Sequence, residues 1–510
     1  MEKSSRTAKS LKNGSVAMVF LLFSMILNFF SRKVFLNHLG SEILGLNTTA
    51  YNLLEFLNLA ELGIGAAVGF SLYKPLANDD KHTINEIINL QGHLYRRIAY
   101  IIICGATVLM AFFPLIFHKM DLPLWYAYGS FSALLLNSLL GYFVNYQQVV
   151  LTSAQMDYKI QYTTQSWTIS KIISQMCCMF FVSNPYLWWL VLEFVFCIIS
   201  ACSLRYITQK NFPFLRKCEK SYAQLKVQYN TIVTKIKQVF FHRIGGFIIF
   251  NCSPLIIYAF LSLSEVAYYG NYLIITAGLS RLSNAIFNSM NASIGNLIAE
   301  AEKDKILSVF RELFSLRIVL ASTMVFGFLL IAQPFIHHWI GSSYLLPIST
   351  IFIISINLFI SLSRSSVDSF INAYGIFQDT WAPIAEAVLN LGTSILLGFY
   401  FGLNGILLGI TISQMVIICG WKPIFLFKFG MKLPVILYWK LYFTQIFSCL
   451  IIGTASYFIL GRFNIDPFTS WFSLIVYGIS GCAIYLILLS ATLSFLKTGL
   501  NDFFKRILHY

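Results

Sequence analysis

Charge is what this sequence has least of. Only 11% of its 510 residues are Asp, Glu, Lys or Arg, whereas a soluble domain carries about 25%. With 57% hydrophobic residues and a mean hydropathy of +0.71, that scarcity excludes a soluble fold of this size. Acid is scarcer than base, 21 residues against 36, which leaves a formal net charge of +15. In a soluble protein such an excess would point to nucleic acid. In a chain this apolar its placement matters more than its sum, and no nucleic-acid partner is expected. Metal-ligand spacing is missing too. The ten cysteines fall almost entirely in apolar segments, as small hydrophobes do, so neither a metal site nor a disulfide framework is expected. A Walker A pattern is absent, which excludes ATP hydrolysis by this chain. No small-residue cleavage site follows the first apolar stretch, 16–30. Ser31-Arg32-Lys33 comes instead, so the stretch reads as a retained helix and not as a secretory signal.

What is present are apolar blocks of about 20 residues, the length a helix needs to cross a hydrocarbon core of about 30 Å. Windows of about 19 residues give about fourteen spans, near 14–31, 44–70, 98–117, 124–150, 162–182, 186–206, 240–261, 267–295, 314–336, 346–371, 382–401, 404–427, 439–460 and 470–495. Connections are short except over 205–243, which holds nine Lys or Arg residues. With the N-terminus in the cytoplasm, 28 of the 36 basic residues lie inside. Outside remain Arg32, Lys33, Lys119 and Arg462, and the other four, Lys171, Arg281, Arg317 and Arg364, lie within or bordering spans. The opposite orientation would violate the positive-inside rule. The expected location is therefore a bacterial cytoplasmic (inner) membrane, multi-pass, with both termini cytoplasmic. The basic loop reads as an orientation signal and a contact for lipid headgroups.

A weak internal repeat accompanies the spans. Leu76-Ala77-Asn78-Asp79-Asp80-Lys81-His82-Thr83-Ile84 follows span two, and Ile298-Ala299-Glu300-Ala301-Glu302-Lys303-Asp304-Lys305-Ile306 follows span eight. Ser41-Glu42 and Ser264-Glu265 occupy matching positions before their helices with a one-residue slip. Two six-span halves in parallel are an architecture of alternating-access transporters.

One segment runs from Leu44-Gly45-Leu46-Asn47 through Leu62-Gly63-Ile64-Gly65-Ala66-Ala67 to Lys74-Pro75-Leu76-Ala77. Another joins Asn372-Ala373-Tyr374-Gly375, Leu389-Asn390-Leu391-Gly392, Phe401-Gly402-Leu403-Asn404-Gly405 and Gly409. Together they resemble the bacterial polysaccharide and O-antigen flippases, the polysaccharide transporter branch of the multidrug/oligosaccharidyl-lipid/polysaccharide exporter (MOP) superfamily. In the second segment a short glycine hinge joins two spans. The resemblance implies an all-α polytopic membrane protein of about fourteen transmembrane helices. It would have two pseudo-symmetric six-helix lobes in a V-shaped bundle and an added C-terminal helix pair. The corresponding division is an N-terminal lobe over 1–210, a basic cytoplasmic linker over 211–238, a C-terminal lobe over 239–430 and the extra pair over 431–510. The implied activity is movement of an undecaprenyl-diphosphate-linked oligosaccharide (O-antigen, capsule or a similar repeat unit) across the membrane by alternating access. The implied partners are that polyprenyl-diphosphate-linked oligosaccharide and membrane lipid. The chain would work as a monomer near glycan polymerase machinery, without a cofactor beyond a coupling H+ or Na+.

Such a substrate needs cations at bilayer depth, and a charge there costs about 2.5–3.5 kcal/mol on insertion scales. Arginine suits a diphosphate because its fork binds oxygens bidentately and stays charged. Flippases of this family often carry cavity arginines in spans one, two and eight, which makes Arg281 the first candidate; a structural ion pair or an interfacial position is its alternative. Arg32 ends span one, where substrate contact competes with snorkelling to headgroups. Lys171 enters span five from the inner side. Arg364 and Asp368 share a helix face four residues apart, either as a self-neutralising pair or as one that substrate or a proton opens. Glu55, Glu193 and Glu386, with Asp368, are the candidates for a coupling ion, since burial moves carboxyl groups towards the working range.

An enzyme of lipid-linked glycan assembly would need an extracytoplasmic domain or clustered acids and metal ligands. Here the outer loops are short, and His337-His338 is the only paired histidine among them. The chain is therefore read as no enzyme. The closer rival is a multidrug exporter of the same superfamily.

Overall fold

The computed structural model describes residues 6–61, 63–216, 218, 220–234, 236, 252–288, 290–300, 302–376 and 378–502. Among these, regular structure is helical and no strand occurs. That is the solution hydrocarbon demands, because a helix satisfies its backbone groups within one segment. Eight described helices are long and apolar enough to cross a membrane, or nine if the bent pair Trp125–Phe143 and Tyr146–Ser153 forms one span. Large apolar side chains such as Leu22, Phe30, Ile451, Phe458 and Ile487 lie more than half exposed on their surfaces. Continuous apolar exposure of that kind is untenable in water and ordinary in lipid. The chain is an all-α polytopic membrane protein.

Two of the eight are more than twice the roughly 20 residues that one crossing takes. The helix Asn13–Asn58 has 46 residues, and Trp381–Met431 has 51. Each contains one glycine off helical geometry, Gly40 (φ 79°, ψ 175°) and Gly402 (φ 55°, ψ −130°). Trp381–Met431 therefore supplies two of the expected spans, and Asn13–Asn58 supplies the first and the opening part of the second. Asp157–Phe181 and Leu263–Asn288 match spans five and eight but are more polar. The seventh expected span, 240–261, is described only from residue 252.

The chain divides into two compact units, Met1–Ala267 and Tyr268–Tyr510. In the first, α1 (Arg6–Asn58) is followed by a break that hydropathy did not register. Leu59–Glu61 forms a 3-10 turn, and Gly63 stands at φ 105° in the left-handed region before α2 (Ile64–Ala77). The expected single span 44–70 is thus two helices, because Gly63 adopts a conformation other residues avoid. Next come α3 (Lys81–Ala111), α4 (Trp125–Phe143), α5 (Val149–Ser153), α6 (Asp157–Phe181) and α7 (Pro185–Asn211). Val68 and Leu72 of α2, Ile84 and Leu90 of α3 and Leu151 of α5 form the buried core. The start of α3 is capped by Asp80, whose carboxylate accepts the Thr83 N–H at 3.0 Å. Hydrogen bonds from the Thr83 side chain and backbone hold the Asp80 carboxyl below its ordinary range.

Part of the basic linker is folded. Ser221 opens α8 (Tyr222–Gln228) with a capping box: its hydroxyl accepts from Gln224 N–H, and the Gln224 side chain accepts from Ser221 N–H. Leu225 of α8 joins the core of the first unit. The anchor is Glu86 of α3, a carboxylate whose side chain is 2% exposed. It accepts hydrogen bonds from Tyr229 Oη at 2.7 Å and Gln228 Nε2 at 2.9 Å and pairs with Lys220. Asn85 and Asn89, one turn apart, hold the backbone at Arg216 and Cys218. The Arg97 guanidinium lies 3.8 Å over the Tyr222 ring.

The second unit contains most of α9 (Leu263–Asn288), then α10 (Asn291–Glu300), α11 (Lys303–Ile340), α12 (Ile348–Tyr374), α13 (Trp381–Gln414), α14 (Ile436–Leu460) and α15 (Trp471–Phe495). Its core is aromatic, with Phe310, Phe314, Phe370, Phe427 and Tyr438 in mutual contact. At Gly402 α13 folds back on itself. A Cβ on Gly405 would stand 2.0 Å from Leu397 O, and one on Gly409 2.4 Å from Ser394 N. Only glycine permits backbones so close. Across the fold-back, Thr393 Oγ1 donates to Gly409 O (3.2 Å) and Ser394 Oγ to Ile406 O (2.9 Å). This is the glycine hinge expected around Phe401–Gly405. Beyond Gln414 the helix continues with π-type turns over Met415–Trp421 and Leu426–Met431. The C-terminal pair is tied in by Leu489 and Leu493 of α15, which cluster with Phe326 and Leu330 of α11.

Candidate functional site

Polar groups inside each unit gather in separate clusters. In the first, Lys171 of α6 and Glu193 of α7 form an ion pair at 2.6 Å, with side chains 23% and 16% exposed. Gln175, one turn after Lys171, donates to the second oxygen of Glu193 at 2.9 Å and to Trp189 O at 3.2 Å. Two expected site residues are therefore partners of one another, and each satisfies the other's charge. Glu55 lies in a different network at the broken end of α1. It accepts from Asn58 Nδ2 at 3.2 Å, and Asn58 Oδ1 accepts from Ser138 and Tyr142. Within the break, Glu61 accepts from Tyr95 Oη at 2.8 Å. A helix interruption frees backbone groups, and polar side chains collecting around it are the usual compensation in a membrane.

Arg32 reaches Ala267 O at 3.5 Å, near the start of α9. In the same region Ser41 Oγ donates to Ser264 Oγ at 3.1 Å. A Cβ on Gly45 would stand 1.8 Å from Leu263 O, so the two backbones touch. The Ser-Glu positions that the repeat pairs at a distance of over 200 residues thus meet directly.

In the second unit Arg364 Nε and Asp368 Oδ2 of α12 pair at 2.9 Å, as their spacing requires. Glu386 of α13 is 4% exposed, and its Oε1 has no hydrogen-bond partner among the described residues. It lies within electrostatic reach of Arg364, Asp368 and Lys422. Lys422 in turn pairs with Asp379 at 2.8 Å. The structure thus brings Arg364, Asp368 and Glu386 into one charged cluster. Arg281 stands apart on α9, exposed and without a hydrogen bond or ion pair to a described residue.

Sequence reasoning missed three charged groups. Arg317 of α11 is 4% exposed, with its guanidinium 3.8 Å over the Phe287 ring. It sits in a stretch hydropathy reads as an unremarkable span. The Asp379–Lys422 pair is 43 residues apart, beyond any helical spacing. Glu86 lies at the polar start of α3, where an acid reads as solvated. Among the described residues no group of three or more His, Cys, Asp or Glu could hold a metal ion.

The whole-chain comparison gives the architecture. A structure described as the lipid II flippase MurJ in an inward closed conformation superimposes with a TM-score of 0.60 at 13% identity, covering 94% of this chain and 99% of that one. The fold is shared. An inward-facing multidrug resistance MATE family transporter of the MOP superfamily also gives 0.60 at 13% identity, covering 78% of this chain and 94% of that one. No family model matches the sequence, and no curated protein matches it.

Proposed function

We propose that the chain is a flippase that moves a polyprenyl-diphosphate-linked oligosaccharide across the bacterial cytoplasmic membrane by alternating access. The observation that carries this reading is coverage. The lipid II flippase fold accounts for 94% of the chain, against 78% for the exporter. In this reading Arg281 takes the diphosphate, since its fork is exposed and unengaged among the described residues. Arg32, Lys171 and Arg364 are the further proposed substrate-binding residues, the last two each now held by a carboxylate of their own unit. Asp368, Glu386, Glu193 and Glu55 are the proposed carriers of a coupling proton or sodium ion. The second reading, a multidrug exporter, is favoured by the equal TM-score of the multidrug transporter.

The test is complementation in a bacterium lacking its own lipid-linked oligosaccharide flippase. Wild type and Arg281→Ala are compared at matched membrane levels, and drug susceptibility is read in the same strains. Surface glycan restored by wild type and lost with Arg281→Ala supports the flippase. Drug efflux without glycan export transfers the chain to the exporters.

A further inference from the structure

Arg317 poses a chemical problem that the flippase reading does not use. Its side chain lies in the core of the second unit, yet Nη1 has no hydrogen-bond partner among the described residues. A guanidinium donor withdrawn from water without an acceptor is costly. The nearest carboxylate field is that of Asp368, but that group is already held by Arg364 at 2.9 Å. Beside Arg317 lies a small pocket whose walls are Phe287, Met290, Leu313, Phe370 and the serines Ser366 and Ser369. One face of the guanidinium is covered by the Phe287 ring, and Arg317 itself lines the pocket.

We propose that this pocket is a binding site for one small monovalent anion, chloride being the abundant example. The pocket is small, so a compact guest suits it better than a polyatomic one. A single cation balances one negative charge, whereas a phosphate dianion would leave charge and oxygens unmatched against apolar walls. Arginine is itself weakly hydrated, and an anion that gives up water cheaply suits a site where most of the lining is carbon. Ser369 Oγ donates to Ser365 O at 2.8 Å, so Ser366 supplies the free hydroxyl proton and Arg317 the charge. Because Phe287 of α9, Ile294 of α10 and residues of α11 and α12 all border the pocket, a bound anion would join these helices within the second unit.

The test uses the purified full chain in detergent, with its unfolding midpoint followed at constant ionic strength while gluconate is exchanged for chloride. Wild type is expected to show a saturating rise on the order of a few °C. Arg317→Met should abolish it, and Ser366→Ala should raise the half-saturating chloride concentration roughly 3–10-fold, the loss of one hydrogen bond. Should Arg317→Met fail to fold, Ser366→Ala and anomalous scattering from bromide-soaked crystals carry the decision. Bromide density beside Arg317 supports the site. No chloride dependence in wild type means that water fills the pocket and overturns the proposal, as does a dependence unchanged in both variants. Neither result bears on glycan export, so the two readings fail separately.

Discussion

Tyr229→Phe isolates the contact that holds the linker to the first unit. The substitution removes one oxygen and leaves the ring. Tyr229 Oη donates to Glu86 at 2.7 Å, and the acceptor is an almost fully buried carboxylate. Burial, and then this hydrogen bond, push the Tyr229 phenol above its ordinary range, so the donor keeps its proton throughout the neutral range. A hydrogen bond to a charged group contributes about 1.5–3 kcal/mol. Lys220, with a side chain 40% exposed, is screened and adds about 0–1 kcal/mol. Losing the phenol alone should therefore raise the population of undocked linker about 10–150-fold, at 1.4 kcal/mol per decade. Trypsin reads that population directly when opening is fast relative to cleavage, with Lys220 and Lys226 as the scissile positions. Glu86→Gln should produce a comparable acceleration, and the double variant much less than the product of the two, since both remove the same bond. A change below about threefold in Tyr229→Phe, or strict multiplicativity in the double variant, would refute the argument that Glu86 is the anchor.

Three further outcomes follow from the same reasoning. Gly45→Ala places a Cβ 1.8 Å from Leu263 O, which backbone cannot yield. It should destabilise the detergent-solubilised protein far more than Gly14→Ala, where nothing lies within 4 Å, as read by unfolding midpoints. Removing only one member of the Lys171–Glu193 pair strands a charge and should cost about 3–5 kcal/mol, whereas Lys171→Met with Glu193→Met should recover most of it; equal losses in single and double variants would contradict this. The Asp80 cap should be fully effective above about pH 4, the unfolded value, and fade as pH falls through its lower folded value. Asp80→Asn should flatten that acid limb of amide exchange at the start of α3.

The membrane part of this fold was legible because hydrocarbon imposes one rule on every span. Length and apolarity found α3, α7, α11, α12, α14 and α15, and the resemblance placed a glycine hinge where Gly402 turns the chain. The break at Gly63 was not legible, since the residues on both sides are apolar and window averages run through it. Among the candidate charges, Arg364 and Asp368 could be paired from sequence because helical spacing fixes their distance. Lys171 and Glu193 could not, because their meeting depends on how α6 packs on α7. The linker read as a string of positive charge. Its folding depends on Glu86, more than 130 residues away in sequence from Lys220, and no local pattern reports such a contact.

The reversal at Gly402 leaves no hydrophilic connection between two crossings. Phe399, Tyr400 and Phe401 stand exposed around it, and the facing backbones are locked by Thr393 and Ser394. Those two crossings must enter the bilayer as one insertion unit, since neither has a polar tail to be handed across first. For anyone mapping the topology with epitope tags, glycosylation acceptors or water-soluble thiol reagents, this end of the hairpin is silent ground. A reporter spliced there would prise apart the helices it was meant to locate.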